Sequence, residues 1–271
     1  MVNTIITMER VSKVQMIDFH SHIIWDIDDG SKDFRMSSDM IENSICQNVQ
    51  CICATPHFII DEQEIDKKVY NEKINALKER YLNKINIVSG IEVYINPNIP
   101  KYYKEGKIWG VNNSRYVLIE LPMRDYPIYT KDIFYELSIL GAKPIIAHPE
   151  RNLKIQQNMN LLTDLLTEGA LAQMNTGSLT GMFGNNVKEF AEKLIRTNRI
   201  HMLGSDGHNN RSRKTDMLSA YETVNKINKE LFQWMEDNNN KIINNLDVSP
   251  LKIVEDKEKK FNILNLFHRK K

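Results

Sequence analysis

Residues 16–30 read MIDFHSHIIWDIDDG, a short apolar run that leads into His20-Ser21-His22 and then into a turn carrying Asp26, Asp28 and Asp29 before Gly30. Residues i and i+2 of a strand point to the same side, so both imidazoles can close on one ion. One or more of the three Asp residues is expected to cap backbone N–H groups of the turn. The same grammar recurs along the chain. Apolar runs at 51–54, 87–93, 116–121, 144–147, 170–174 and 201–203 follow at intervals of roughly 30 residues, the length of a strand, a helix and two short loops. In order they lead into His57, Glu92, Glu120, His148, Asn175, and finally Asp206 with His208.

The intervening segments read as helices. Residues 33–49 carry Met36, Met40, Ile41 and Ile45 at helical spacing, and 66–84 carry Val69, Tyr70, Ile74, Leu77 and Tyr81. Segments 130–140, 161–168, 187–197 and 219–231 complete the alternation, which predicts a parallel α/β domain. An open doubly wound sheet brings only the strands beside its switch point to one site. A β/α barrel brings all its C-terminal strand ends to one face. Ligand-type residues after every run therefore predict a distorted, TIM-like seven-stranded (β/α)7 barrel over residues 16–250. Residues 1–15 are expected to form an N-terminal extension and 251–271 a charged tail ending in HRKK. A solvated tail is the default, with contact to anionic lipid through Phe261, Ile263, Leu264, Leu266 and Phe267 as the alternative.

Composition excludes several classes. Lys and Arg number 36 against 35 Asp and Glu, which leaves no basic surplus for nucleic acid or an anionic membrane. With 41% apolar and 26% charged residues the chain is of globular type. Its three Cys lie within 46–53 and imply no disulfide framework. Cysteine-based tyrosine phosphatases need an Arg six positions after the Cys, where Ile52, His57 and Ile59 stand here. Asp26-Ile27-Asp28-Asp29-Gly30 lacks the Thr or Val of an aspartyl-phosphate motif, and no P-loop or dinucleotide glycine pattern occurs. No apolar run approaches the roughly 18 residues of a membrane span, and the N-terminus does not read as a signal peptide, so a reduced, cytoplasmic protein is expected.

Each candidate has a plain structural reading when taken alone. His57 after Pro56 could be a cap or surface residue, and Glu92 and Glu120 could be halves of buried salt bridges. A carboxylate inside a buried run is costly unless it is paired or bound to a cation. Taken together, five of the seven His and at least four carboxylates sit at successive strand ends. That exceeds the needs of one tetrahedral ion and predicts two or three clustered ions. Imidazole and carboxylate donors without thiolate suit Mn, Fe or Zn. Cys51 and Cys53 lie within a strand and read as packing.

The segments IDFHSHIIWDIDDGS, ATPHF, GIEVYINP, SRYVLIELPM, PIIAHPERN and GSDGHNNRSR resemble the polymerase and histidinol phosphatase (PHP) superfamily. Within it they look like the bacterial manganese-dependent protein-tyrosine phosphatases of capsule and exopolysaccharide synthesis, over residues 16–246. The resemblance implies a PHP-type barrel with a trinuclear Mn²⁺ centre, Fe or Zn being alternatives. Its ligands would be His20, His22, Asp29, His57, Glu92, Glu120, His148, Asp206 and His208, with Asp28 as the alternative to Asp29. Arg151 and Arg213 match the arginines that hold the substrate phosphate, and Arg211 stays open for the second. The implied reaction is hydrolysis of phosphotyrosine by metal-activated hydroxide. Asp206 or His208 would assist proton transfer to the leaving phenolate.

The implied partner is a phosphotyrosine-bearing protein, a membrane-associated bacterial tyrosine kinase, with neither nucleic acid nor a transmembrane segment involved. A homo-oligomer is compatible with it. The competing readings are a small-molecule phosphomonoesterase such as a histidinol phosphatase and, in another class, a non-catalytic metal-binding scaffold docked to a membrane kinase.

Overall fold

The computed structural model describes residues 15–256. The expected extension over 1–15 therefore lies outside the described residues apart from Gln15, as does the expected tail from residue 257 onward.

Strands buried on both faces alternate with helices that bury a single stripe, the pattern of a parallel sheet covered by helices. Strands β1 (Met16–Ser21), β2 (Val49–Ala54) and β4 (Asn86–Ser89) form one parallel sheet in the order β1-β2-β4. Strands β3 (His57–Phe58), β5 (Glu92–Tyr94), β6 (Tyr116–Glu120), β7 (Lys143–Ala147), β8 (Leu171–Asn175) and β9 (Met202–Gly204) form a second, all-parallel sheet in that order.

The ladders thus count nine strands among the described residues where the sequence predicted seven. The difference has a local cause. Pro56 has no N–H to give to a ladder and ends β2. Gly90 and Ile91 interrupt the neighbouring run at the same height. Ala54 pairs with Ser89 below the break and His57 with Glu92 above it, so two residues intervene on each side and the register is unchanged. Tyr70 closes the gap, its hydroxyl accepting from Gly90 N (3.0 Å) and donating to Ala54 O (2.9 Å).

The two sheets also meet at the far side. Ser21 bridges Gly207 in parallel, His22 N donates to Gly207 O (2.9 Å) and Asp206 N to His20 O (2.8 Å). The C-terminal end of β1 is thereby tied to the segment that follows β9.

The helices are α1 (Phe34–Cys46), α2 (Lys67–Arg80), α3 (Ile99–Lys104), α4 (Thr130–Ile139), α5 (Leu153–Gln157), α6 (Asn160–Thr167), α7 (Thr176–Thr180), α8 (Asn185–Arg196), α9 (Leu218–Ile227) and α10 (Lys229–Ile243). Asp33 and Asp66 start α1 and α2 by accepting from Met36 N and Lys68 N, both at 2.8 Å. The single helix expected over 219–231 is two. Asn228 leaves the helical region and caps α10 through Leu231 N (3.0 Å). The polar stretch 236–241, EDNNNK, hides the apolar face of α10, whose Leu231, Phe232, Trp234, Met235, Ile242 and Ile243 are buried.

Candidate metal centre

His20 and His22 leave the end of β1 with their Nε2 atoms 3.0 Å apart. Each ring is gripped from behind. His20 Nδ1 lies 3.0 Å from Gln173 Oε1, and His22 Nδ1 lies 2.6 Å from Asp28 Oδ2. Both partners are acceptors, so Nδ1 carries the hydrogen and the Nε2 lone pair faces forward, the tautomer that suits a metal. Asp28 Oδ2 also accepts from His57 N (3.0 Å). Asp28 is therefore an orienting group, while Asp29 reaches the cluster, its Oδ1 3.5 Å from His57 Nε2 and 3.3 Å from His208 Nε2.

Glu92, wholly buried at the start of β5, lies at the centre. Its Oε2 stands 2.9 Å from His57 Nδ1, 3.1 Å from His20 Nε2 and 3.4 Å from His22 Nε2, and its Oε1 stands 2.9 Å from His148 Nε2. Glu120, closing β6, is 3.8 Å from His57 Nδ1 and 3.6 Å from His148 Nε2. Asp206 Oδ1 is 3.4 Å from His22 Nε2.

These donors fall into three overlapping sets, each with its atoms within 4.8 Å of one another: His22, Asp29, His57 and His208; His20, His22 and Glu92; His57, Glu92 and Glu120. His148 and Asp206 stand outside the three sets but contact their members. His22, His57 and Glu92 are each shared between two of these sets.

The electrostatics are those of a site built for cations. Burial alone would lower His20 and His22, but the surrounding carboxylates, chiefly Glu92 and Asp206 for His20 and Asp28 for His22, outweigh it and raise both. The imidazoles in turn hold Glu92 and Asp206 well below the usual carboxylate range against the penalty of burial. Glu120 has less compensation, and burial followed by the Glu92 charge pushes it up to about 8. Glu92 Oε2 makes no well-formed hydrogen bond despite the ring nitrogens around it. A buried carboxylate oxygen ringed by ring nitrogens without a hydrogen bond of its own, next to a second carboxylate that burial penalises, fits a divalent cation of borderline hardness.

Backbone conformation points the same way, since His148 and Asp206 hold φ of +29° and +51°, values that a side chain with a Cβ rarely adopts.

Two arginines reach this centre. Arg151, in the turn Pro149–Arg151 after β7, donates from Nη1 to Asp206 Oδ2 (2.9 Å). Its guanidinium lies over the Phe183 ring at 4.2 Å. Arg213 Nη2 is 2.7 Å from the same oxygen. Asn209 Oδ1 accepts from the backbone N–H groups of residues 211, 212 and 213, which turns the Arg213 side chain inward and leaves Arg211 exposed.

Several residues here went unnoticed in the sequence. Gln173 lies two positions before Asn175 on β8, hence on its face of the strand. Asp18, two before His20, accepts from Ser205 N (2.8 Å) and Ser205 Oγ (2.6 Å), and burial raises it to about 6. Glu150 accepts from Asn175 N (2.9 Å) and Ser178 Oγ (2.7 Å). A polar residue inside an otherwise apolar run was the available signal for Gln173 and Asp18. Among the described residues Cys51 and Cys53 are buried free thiols in β2, and neither belongs to a donor set.

Comparison with known proteins gives consistent results. The family model described as capsular polysaccharide synthesis, CpsB/CapC, matches residues 16–244. A putative tyrosine-protein phosphatase CapC of Staphylococcus aureus is 41% identical over 71% of this chain and 77% of its own length. Tyrosine-protein phosphatase YwqE of Bacillus subtilis is 33% identical over 78% and 84%, respectively. Among solved structures, one from the work on YwqE and Streptococcus pneumoniae CpsB, described there as unique metal-dependent tyrosine phosphatases, superposes with TM-score 0.82 at 31% identity, covering 89% of this chain and 100% of that one. A histidinol phosphate phosphatase of Lactococcus lactis shares the fold, with TM-score 0.53 at 16% identity over 80% of this chain and 94% of that one.

Proposed function

The chain belongs to the CpsB/CapC family of capsular polysaccharide synthesis, and on that premise we propose that it is a metal-dependent protein-tyrosine phosphatase. The observation that carries the reading is the convergence of five imidazoles, four carboxylates and two arginines on one face of the strands. We assign His20, His22, Asp29, His57, Glu92, Glu120, His148, Asp206 and His208 as the metal-holding residues. The three overlapping donor sets support three ions, and the mixed nitrogen and oxygen donors support Mn²⁺, with Fe or Zn as alternatives. Divalent ions held there would supply Lewis-acid activation of water and of the phosphoryl oxygens.

The chain's own groups do the rest. Arg151 and Arg213 present planar forks from the side of Asp206 and would bind the non-bridging phosphate oxygens, where charge accumulates during transfer. The site is open on the side of Asp29, whose side chain is 66% exposed, and of His57, which suits a phosphotyrosine displayed on a protein better than an enclosed metabolite. A tyrosine phenolate leaves with a conjugate-acid pKa of about 10, so a proton from His208 would be only a modest aid, and Asp206, which the imidazoles and Arg213 hold ionised, is not its source. The substrate we infer is a membrane-associated tyrosine kinase of capsule assembly, supported by the capsule-synthesis family. No helix among the described residues is long and apolar enough to cross a membrane. A cytoplasmic location is the reading we favour, and the free thiols of Cys51 and Cys53 suit a reducing compartment. We also read the nine strands as seven β/α units, counting β2 with β3 and β4 with β5 across the break at Pro56 and Gly90, with residues 16–250 as one domain.

The test is metal analysis of the purified protein together with turnover of a phosphotyrosine peptide and of histidinol phosphate, before and after chelation. The expected result is bound metal and chelator-sensitive hydrolysis that favours the peptide. A preference for histidinol phosphate would move the assignment to a small-molecule phosphatase. Absence of metal-dependent hydrolysis would leave the scaffold reading.

A further inference from the structure

Asn175 ends its strand as the other site residues end theirs, yet neither the donor sets nor the phosphate contacts use it. It is wholly buried, as is Gln173 two positions earlier. Buried amides are costly unless each of their groups finds a partner. Here the partners form a single line. His20 Nδ1 lies 3.0 Å from Gln173 Oε1, Gln173 Nε2 donates to Asn175 Oδ1 at 3.0 Å, and Asn175 Nδ2 donates to Asp206 Oδ2 at 2.6 Å. We propose that Gln173 and Asn175 are positioning residues that hold His20 and Asp206 in their metal-binding orientation. The inference rests on the assignment of those two residues as metal ligands.

The line has a direction, and the contacts of Asp206 set it. Its Oδ2 already accepts from Arg151 and faces Arg213, so Asn175 must turn its NH₂ toward that oxygen and its own oxygen toward Gln173. Gln173 must then turn its NH₂ toward Asn175 and its oxygen toward His20. His20 must therefore carry its hydrogen on Nδ1, which leaves the Nε2 lone pair facing Glu92, His22 and the cluster. Reversing either amide would set two oxygens against each other. Without the pair, His20 would gain by placing the hydrogen on Nε2, 3.1 Å from Glu92 Oε2, and that atom could no longer take a cation.

The backbone makes room for the arrangement. A Cβ on Gly204 would lie 2.5 Å from His20 Cβ and 2.6 Å from Gln173 Nε2, so the contact between the two side chains requires glycine on β9. At its other end the line shares Asp206 Oδ2 with Arg151 and Arg213, and these three donors leave Oδ1 to the cluster.

The test measures Mn²⁺ affinity by chelator competition for wild type, Gln173→Met, Asn175→Ala, the double variant and His20→Ala, with melting curves of each metal-free protein. The Zn²⁺-loaded forms are examined for the His20 ring hydrogen by ¹⁵N-histidine NMR. Each single variant is expected to bind Mn²⁺ about 10–100-fold more weakly, the range for losing a group that orients a metal ligand. The double variant should be no weaker than the weaker single, because one broken link already opens the line. The Nδ1–H signal of wild-type His20 should be lost in Gln173→Met. Unchanged affinity in Gln173→Met, losses that multiply in the double variant, or a wild-type His20 protonated at Nε2 would overturn the proposal. Asn175→Ala leaves the His20–Gln173 bond in place and carries the test if Gln173→Met folds poorly. If His20→Ala also binds Mn²⁺ normally, the metal-centre assignment itself falls. A weakened His20→Ala beside a normal Gln173→Met sinks the positioning role alone.

Discussion

His148 contacts both Glu92 and Glu120 from a strained backbone position that its neighbours hold in place. His148→Ala keeps the Cβ and removes the donor, so hydrolysis of a phosphotyrosine peptide should fall at least about 100-fold with little change in melting temperature. Near-normal turnover in metal-loaded variant protein would contradict the proposed centre. Arg151→Ala should raise KM and lower kcat together, and Arg151→Lys should not restore them, since one ammonium cannot replace a planar fork.

His201 tests the interior away from the centre. Its Nδ1 accepts from Ala172 N (3.0 Å), and burial pushes its pKa down to about 3. The folded protein keeps this ring neutral while the unfolded chain protonates it below about 6.5, so its contribution to stability is lost as pH falls from there toward 3. Between pH 7.5 and 5 the wild type should lose about 2 kcal/mol more than His201→Gln, as read from urea unfolding. Parallel pH profiles for the two proteins would refute this.

At the scale of elements, the broken strands and the divided helix follow from single residues. Pro56 interrupts β2, and Gly90 lets the partner break at the same height, where a Cβ would stand 2.9 Å from Thr55 Cγ2. The interruption lifts His57 and Glu92 onto a second short ladder and leaves them paired in register within the site. Asn228 divides α9 from α10 and fastens the joint by donating to Ile195 O (2.9 Å) and Asn198 Oδ1 (2.8 Å). Asn228→Ala removes a cap and two tertiary bonds, and about 1–2 kcal/mol of stability should go with them. Calorimetry should show the melting temperature falling by about 2–8 °C, with kcat of the metal-loaded enzyme unchanged because Asn228 touches none of the donors. A wild-type melting curve would show that the joint contributes nothing.

Across the whole molecule, near-neutral composition conceals a strong local imbalance. Carboxylates and imidazoles are packed into one buried cluster, where burial and then the Glu92 charge push Glu120 up to about 8. Bound cations would relieve that strain and favour the folded state by about 4 kcal/mol when free metal exceeds its Kd a thousandfold. Chelation should therefore lower the melting temperature by roughly 8–16 °C, and added Mn²⁺ should restore it. Superimposed melts with and without chelator would mean that the cluster does not hold metal in the folded protein.

The sequence alone determined the alternation of strand and helix and the chemistry at each strand end, because both are local. A strand fixes which side chains share a face, and a glycine or proline fixes where it stops. It could not decide between Asp28 and Asp29 or between Arg211 and Arg213, which are neighbours in the chain and differ only in where their loops turn them. Tertiary structure placed Asp28 behind His22, Asp29 among the rings and Arg213 on Asp206. It also split the expected strands, and it revealed the Gln173–Asn175 line, which joins residues of β8 to His20 in β1 and to Asp206 beyond β9. The physical reason is that orientation at a polar site is set by hydrogen-bond partners far apart in the chain, whose meeting depends on how the strands are assembled.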